Sequence, residues 1–251
     1  MAKGHIAETD QGENRPSYGF VGDYPSFDAA AAVTTGYATE TIARASADRL
    51  SALLPRADDT RIDERFLQVH SALAFVAAAG GVRRLSVLDV GGGNGSYYFV
   101  MKRLLPNVEL AWTVLETPPM VAACRAAGDL PFSLVSDLAE TTGHFDVVLI
   151  SGALQYLPDP YQALPRYAAI ARWLIATRIP VIDGDADRFT VQIVPPDIHE
   201  GSMPVWLFSA TKLANALAAI GTTVMEWAVS PDSGFCATVG AHPRGFLVKT
   251  S

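Results

Sequence analysis

From Val87 to Gly95 the chain reads Val-Leu-Asp-Val-Gly-Gly-Gly-Asn-Gly, and Ser96 follows at the start of a helical pattern. An apolar strand therefore runs into four glycines and then into a helix. Glycines admit positive φ and let the backbone approach a ligand closely. A helix start presents unpaired N–H groups and the positive end of the helix dipole, which suits a carboxylate or a phosphate. Asp89, at the strand end, is placed to accept hydrogen bonds from the turn's own amides or to attract a ligand ammonium group. The plain alternative is a tight turn whose glycines serve packing alone. Glu116 ends the next apolar run, Trp112-Thr113-Val114-Leu115-Glu116. An acid there can accept from both hydroxyls of a ribose, the usual solution in a doubly wound sheet. A solvated carboxylate at a strand end is its alternative.

Such residues need a sheet with crossover helices to position them. From Leu85 onward short apolar runs alternate with helical segments, which argues a parallel sheet covered on both faces. Strands are predicted over 86–90, 109–116, 132–135, 146–150 and 174–177, with helices opening near Ser96, Pro119 and Pro160. A stretch with several prolines, 179–204, interrupts that rhythm. A helix over 209–220 and strands over 222–229 and 245–249 complete the pattern. The last two strands lie too close together for a crossover helix, so they should pair as a hairpin. The fold class is thus α/β: a doubly wound, mostly parallel, seven-stranded sheet with a C-terminal antiparallel hairpin and an N-terminal helical extension.

In that extension Ala43, Ala47, Leu50 and Leu54 repeat at helical spacing up to Pro55, after a loop weighted by Phe20, Tyr24 and Phe27. Ile62, Phe66, Val69, Leu73 and Val76 form a second stripe. Thr60 with Asp63 makes a capping box for it, and Gly80–Gly81 a stop. The organisation expected is a flexible tail over 1–19, the helical extension over 20–81 and one ligand-binding domain over 82–251. Within that domain, 179–208 is an insertion covering the open end of the sheet.

The acidic-x-Gly-x-Gly-x-Gly spacing of Asp89, Gly91, Gly93 and Gly95, with Gly92 inside the turn, resembles the first motif of class I S-adenosylmethionine-dependent methyltransferases. The resemblance implies S-adenosylmethionine as cofactor, its methionine end on the glycine turn. It also implies a contact from Asp137 to the adenine amino group, with capping of its own turn as the alternative. The segment from Phe145 to Pro160 resembles the family's fourth-strand motif, in which a strand ends beside the reactive methyl. That motif adds Ser151 and Gly152 to the cofactor residues and sets Gln155 and Tyr156 near the reaction. Many relatives carry histidine where Gln155 stands; glutamine cannot transfer a proton, so a hydrogen-bonding role to cofactor or acceptor is expected. A narrower resemblance rests on Gly22-Asp23-Tyr24, Gly36-Tyr37, Leu154-Gln155-Tyr156-Leu157 and Arg178-Ile179-Pro180. These are similar to a group of methyltransferases encoded among bacterial polysaccharide genes, which implies a small or sugar-like acceptor and includes Tyr37 among the cofactor residues.

The function expected is methyl transfer to a small-molecule or sugar-like acceptor, at oxygen. An activated methyl asks the protein mainly for in-line orientation and exclusion of water. A hydroxyl acceptor also benefits from a base. His199, Asp183, Glu200 and Tyr156 are the candidates, with Arg178 available for an acceptor carboxylate or phosphate. His199 is favoured because it follows the fifth strand, where open α/β sheets bind ligands, and because imidazole titrates near neutrality. An exposed loop histidine beside Glu200 is its alternative. His70 is expected to be packed or exposed, His144 to lie at the wrong end of the sheet, and His242 in the final hairpin turn. Phe189 and Trp206 are either a substrate wall or a packed flap. No His/Asp/Glu cluster has ligand spacing, so no metal is expected.

Two alternatives from other classes stay open. One is a nicotinamide-dependent oxidoreductase, although counting from Gly91 puts Ser96 where its fingerprint wants a third glycine or alanine. The other is a methyltransferase-like domain that only binds. A chain of 251 residues with net charge −7 fits one α/β domain and disfavours a nucleic-acid partner. The polar opening lacks a signal peptide's apolar core, and no run is long enough to span a bilayer. Cys124 and Cys236 suggest two reduced, buried thiols. A cytoplasmic location without a membrane partner follows as the expectation, with a homodimer left open.

Overall fold

The computed structural model describes residues 18–59, 66–195 and 198–251. His5, the tail up to residue 17 and the Thr60–Asp63 capping box lie outside the described residues. Chain order is β1 (Gly19–Tyr24), α1 (Phe27–Ala31), α2 (Glu40–Leu53), α3 (Leu67–Gly80), β2 (Arg84–Val90), α4 (Ser96–Leu104), β3 (Glu109–Leu115), α5 (Pro118–Ala126) and β4 (Ser133–Val135). It continues with β5 (Phe145–Ser151), α6 (Pro160–Ala168), β6 (Ala171–Ile182), β7 (Arg188–Ile193), β8 (Ser202–Ser209), α7 (Ala210–Ile220), β9 (Gly221–Ala228), α8 (Ser233–Ala237) and β10 (Ala241–Thr250).

The apolar runs behave as a sheet covered on both faces requires. In β5, Val147 and Leu149 enter one core while Val148 and Ile150 enter the other. Helices α2 to α5 close the first face around Leu50, Leu73, Met101 and Met120. Helices α6 and α7 close the second through Leu164, Leu213 and Leu217. Local signals set the helix ends: Thr39 caps α2 by accepting from the Ile42 amide at 3.3 Å, and Gly81 ends α3 at φ 57°.

Strand pairing gives the order β4-β3-β2-β5-β6-β10-β9. Neighbours from β4 to β6 are parallel, and β10 runs antiparallel to both β6 and β9. The expected seven-stranded, doubly wound sheet with an antiparallel C-terminal pair is therefore present. From β2 the chain winds outward to β3 and β4, then returns to the other side of β2 for β5 and β6. The strand order thus reverses between β2 and β5, at the ends where an open α/β sheet binds its ligands.

Three strands extend the sheet to ten. The loop expected around Phe20 and Tyr24 is strand β1, and the supposedly irregular stretch 179–204 holds the end of β6, all of β7 and the start of β8. β1 pairs β7 antiparallel, β7 pairs β8 antiparallel, and β8 joins β6 through Val181↔Phe208 and Ile182↔Ser209. The prolines that argued against strands cost little here. Pro204 pairs only with β7, because the β6 partnership begins at Phe208, so its missing N–H faces an open edge. His242 likewise lies within β10, opposite Val181, rather than in a hairpin turn; α8 occupies the β9–β10 connection.

β6 bends at one position. Ala176 pairs Phe246 and Ile179 pairs Arg244, so Thr177 and Arg178 together oppose Gly245 alone. This is a β-bulge. Arg178 adopts φ 60°, the only positive φ at a non-glycine among the described residues. The bulge falls where β5 ends beside Thr177, and beyond it β6 leaves β5 for β8.

Candidate functional site

The glycine turn stands between β2 and α4 at the reversal of strand order. Gly91, Gly93 and Gly95 all have positive φ, at 67°, 59° and 69°. A Cβ at Gly91 would stand 2.6 Å from the Ala153 Cβ, and one at Gly95 would stand 2.5 Å from the Phe132 ring. The turn therefore needs glycine there both for its conformation and for its neighbours. Gly91 N–H donates to the Leu115 carbonyl at 2.9 Å, tying the turn to the end of β3. No side chain caps α4, so its first amides keep the donor capacity a helix start offers an anion.

Two buried acids face this turn. Asp89 is 1% exposed and accepts from the Trp112 indole N–H at 3.2 Å through Oδ2. Its Oδ1 has no partner among the described residues. Burial pushes its carboxyl up to about 7, the Trp112 bond opposes that shift and nearby Glu116 adds to it. Asp89 does not hold the turn through the turn's amides, as the sequence had suggested. That task falls to Glu116: Gly93 N–H donates to Glu116 Oε1 at 3.0 Å, and Thr117 N–H to Oε2 at 2.9 Å. The Tyr37 hydroxyl donates to the same Oε1 at 3.2 Å. Burial raises the Glu116 carboxyl too, against these three bonds. Tyr37 thus reaches Glu116 and the turn from the N-terminal extension.

The end of β5 continues the site. Ser151 Oγ lies 2.7 Å from the Tyr97 hydroxyl of α4, and Gly152 N–H donates to the Thr177 carbonyl at 2.9 Å. Beyond them a cavity of about 100 Å3 is lined by Gly152, Gln155, Tyr156, Arg178, Gln192 and Asp232, with Phe20, Pro180, Phe235 and Cys236 as its less polar walls. The helical turn Leu154–Tyr156 sets Gln155 and Tyr156 there, and the β6 bulge brings in Arg178. Arg178 donates from Nε and Nη2 to the two carboxylate oxygens of Asp232, at 2.7 and 3.0 Å. Burial works against its charge, and the Asp232 carboxylate outweighs that effect, so the guanidinium stays protonated. The Tyr156 hydroxyl donates to Gln192 Oε1.

Other expected residues stand elsewhere. Asp137 is exposed and caps its own turn, accepting from Ala139 N–H at 2.8 Å in a capping box with Glu140. His199 lies in the β7–β8 loop, with Nδ1 3.3 Å from the Glu200 carbonyl. Desolvation and the neighbouring Arg49 cation lower its pKa. It is not among the residues lining the cavity. Asp183 and Glu200 are exposed. His70 is buried against Tyr97, and His144 is exposed at the start of β5, away from the ligand-binding strand ends. Phe189 and Trp206 pack on one another, with Tyr161 and Phe208 beside Trp206. They border a separate depression of about 510 Å3 between α6, α7, β7 and β8. Its one buried acid, Asp187, already accepts from Tyr161, Ser209 and Lys212.

Sequence reasoning missed Asp232, Phe235 and Cys236, and it met Gln192 only as part of an insertion. Asp232 sits 54 positions from Arg178 in a Ser-Pro-Asp turn that reads as an ordinary loop. The bulge and the β1–β7 pairing that bring these residues together leave no local pattern.

No family model and no curated protein matches the chain. Among solved structures it is similar to the 1,6-didemethyltoxoflavin-N1-methyltransferase of Burkholderia thailandensis, bound to 1,6-didemethyltoxoflavin and S-adenosylhomocysteine. The identity is 21% over 82% of this chain and 88% of that one, with TM-score 0.46. It is also similar to the N-terminal domain of EvdMO1 in the presence of SAH and D-fucose, at 17% identity over 76% and 85% of the two chains, TM-score 0.49. A third is an S-adenosylmethionine-dependent methyltransferase of Clostridium acetobutylicum, at 9% identity over 81% and 98%, TM-score 0.49. Likeness at this level does not carry a ligand or a reaction from those proteins to this chain.

Proposed function

We propose that the chain is an S-adenosylmethionine-dependent methyltransferase acting on a small-molecule or sugar-like acceptor, at oxygen. One observation carries this reading. A glycine turn of alternating positive φ opens α4 at the reversal of strand order, and two buried acids, Asp89 and Glu116, face it. The groups present fit the cofactor. Asp89 Oδ1, buried without a partner among the described residues, suits the methionine ammonium. The α4 amides suit its carboxylate. Glu116 suits the ribose hydroxyls, in exchange for the hydroxyl proton it now accepts from Tyr37. Residues 82–251 are then the cofactor-binding domain and 20–81 its cover.

When bound, the cofactor supplies a methyl group on a positively charged sulfur, already activated for transfer. The chain's own residues orient and shield. Ser151 at the end of β5 and Gly152 just after it stand between the glycine turn and the cavity. Gln155, Tyr156 and Arg178 hold the acceptor there. Alignment and water exclusion supply the rate; with no imidazole or unpaired carboxylate among the described residues lining the cavity, the acceptor proton is lost to solvent after transfer.

Calorimetry with S-adenosylhomocysteine, S-adenosylmethionine and NADH tests the reading. Binding of both sulfur nucleosides and none of NADH is expected; NADH binding with no response to either nucleoside overturns it.

A further inference from the structure

Resting on the reading of this cavity as the acceptor's seat, we propose that the acceptor is an uncharged ring bearing an N–H or O–H donor, held through that donor by the Gln155 side-chain carbonyl. Gln155 and Tyr156 stand side by side in the cavity wall. Tyr156 has one hydroxyl proton, and Gln192 Oε1 accepts it. The Tyr156 proton is therefore not available to Gln155. That leaves Gln155 Oε1 as an acceptor in a side chain only 6% exposed, without a partner among the described residues. Buried acceptors are rarely left unmatched. A ligand N–H or O–H satisfies this one.

Charge decides the rest. Arg178 gives two of its N–H donors to the Asp232 carboxylate, so the charges of the cavity wall are balanced. An acceptor carboxylate or phosphate could reach the remaining guanidinium donors only with the Asp232 carboxylate, a like charge, beside it. The balance argues against the anion-binding role expected of Arg178 from sequence. The other titratable groups on the wall stay neutral at pH 7, since burial holds both the Tyr156 hydroxyl and the Cys236 thiol at about 12. Phe20 and Phe235 meet edge to face at 4.7 Å and, with Pro180, offer apolar surface to a ring. A cavity of about 100 Å3, smaller than the roughly 150 Å3 that accommodates benzene elsewhere, limits the enclosed part of the acceptor to about one six-membered ring.

The test is a ligand-observed NMR titration of the full chain with phenol, 2-hydroxypyridine, anisole, benzoate and phenyl phosphate, with and without S-adenosylhomocysteine. Phenol and 2-hydroxypyridine are expected to bind at least tenfold more tightly than anisole, which lacks the donor, and than either anion. Gln155→Met is expected to abolish the preference for phenol over anisole. Asp232→Asn, which leaves Arg178 unpaired, is expected to raise benzoate affinity at least tenfold, and it reads the charge argument should the Gln155 variant not fold. Benzoate or phenyl phosphate binding as tightly as phenol overturns the proposal, as does anisole matching phenol or no probe binding. Failure of S-adenosylhomocysteine to bind strikes the methyltransferase reading instead. The probe preferences are still read without it.

Discussion

Glu116 and Asp89 are both buried acids, and they do different work. Glu116 accepts from Gly93, Thr117 and Tyr37, so it closes the glycine turn, and in the proposed reading it also receives a ribose. Glu116→Ala is expected to weaken S-adenosylhomocysteine binding at least about tenfold, since hydrogen bonds to a charged group contribute about 1.5–3 kcal/mol each. Calorimetry on the folded variant checks this, and unchanged affinity would take Glu116 out of the site. Asp89 is held at about 7 against an ordinary value of 3.8. A carboxyl raised in the folded state contributes stability that is fully present below about pH 4 and lost as pH rises towards 7, because the unfolded chain then releases its proton first. Urea unfolding of the ligand-free protein across that range is expected to show a fall with pH that Asp89→Asn flattens. Ligand affinity should move the other way. An ammonium group favours the ionised carboxylate, so S-adenosylhomocysteine should bind more tightly at pH 8 than at pH 6, and Asp89→Asn should remove that dependence. Asp89 was legible as a site residue because an acid before a glycine turn is a local pattern. Its partner Trp112 was not, since it lies on a neighbouring strand.

At the scale of elements, the alternation of apolar runs and helices predicts the seven-stranded sheet well, because every β2-to-β6 crossover is made of adjacent segments. The three added strands were illegible for the opposite reason. β1 and β7 lie about 170 residues apart and join through Thr190, whose hydroxyl is 3.0 and 2.8 Å from the Val21 and Gly22 carbonyls. Thr190 is 1% exposed. Thr190→Val is expected to lower stability by about 1 kcal/mol, the typical worth of one hydrogen bond. The melting temperature should then fall by about 2–4 °C, as for domains of this size. Because β1 carries Phe20 to the cavity, probe binding should weaken in the same variant while S-adenosylhomocysteine binding holds. An unchanged melting temperature would mean that β1 is not anchored there.

At the scale of the whole molecule, the N-terminal extension covers the site. α2 buries Ile42 and Leu50 with Met120, Val121 and Cys124 of α5. Ser46 Oγ lies 3.8 Å from where a Gly93 Cβ would stand, and Arg49 donates to the Ile198 carbonyl at 2.6 Å. The cover thus bridges the glycine turn and the β7–β8 loop that carries His199. A ligand seated beneath it should slow amide hydrogen exchange in residues 40–53 several-fold, since local opening of that helix then has to release the ligand. Exchange that is indifferent to saturating S-adenosylhomocysteine would show that α2 opens independently of the site. By itself the sequence determined the strand that meets the glycine turn, the acids at two strand ends and the winding of the sheet. Each is a matter of spacing between near neighbours, and the backbone rules act at that range. The tertiary structure alone decided that Glu116 rather than Asp89 holds the turn and that Asp232 neutralises Arg178. It also decided that Gln155 is left with a free acceptor and that His199 stands outside the cavity. Those outcomes depend on a bulge, on strands paired across most of the chain and on the direction of one tyrosine proton, and no run of residues encodes any of them locally.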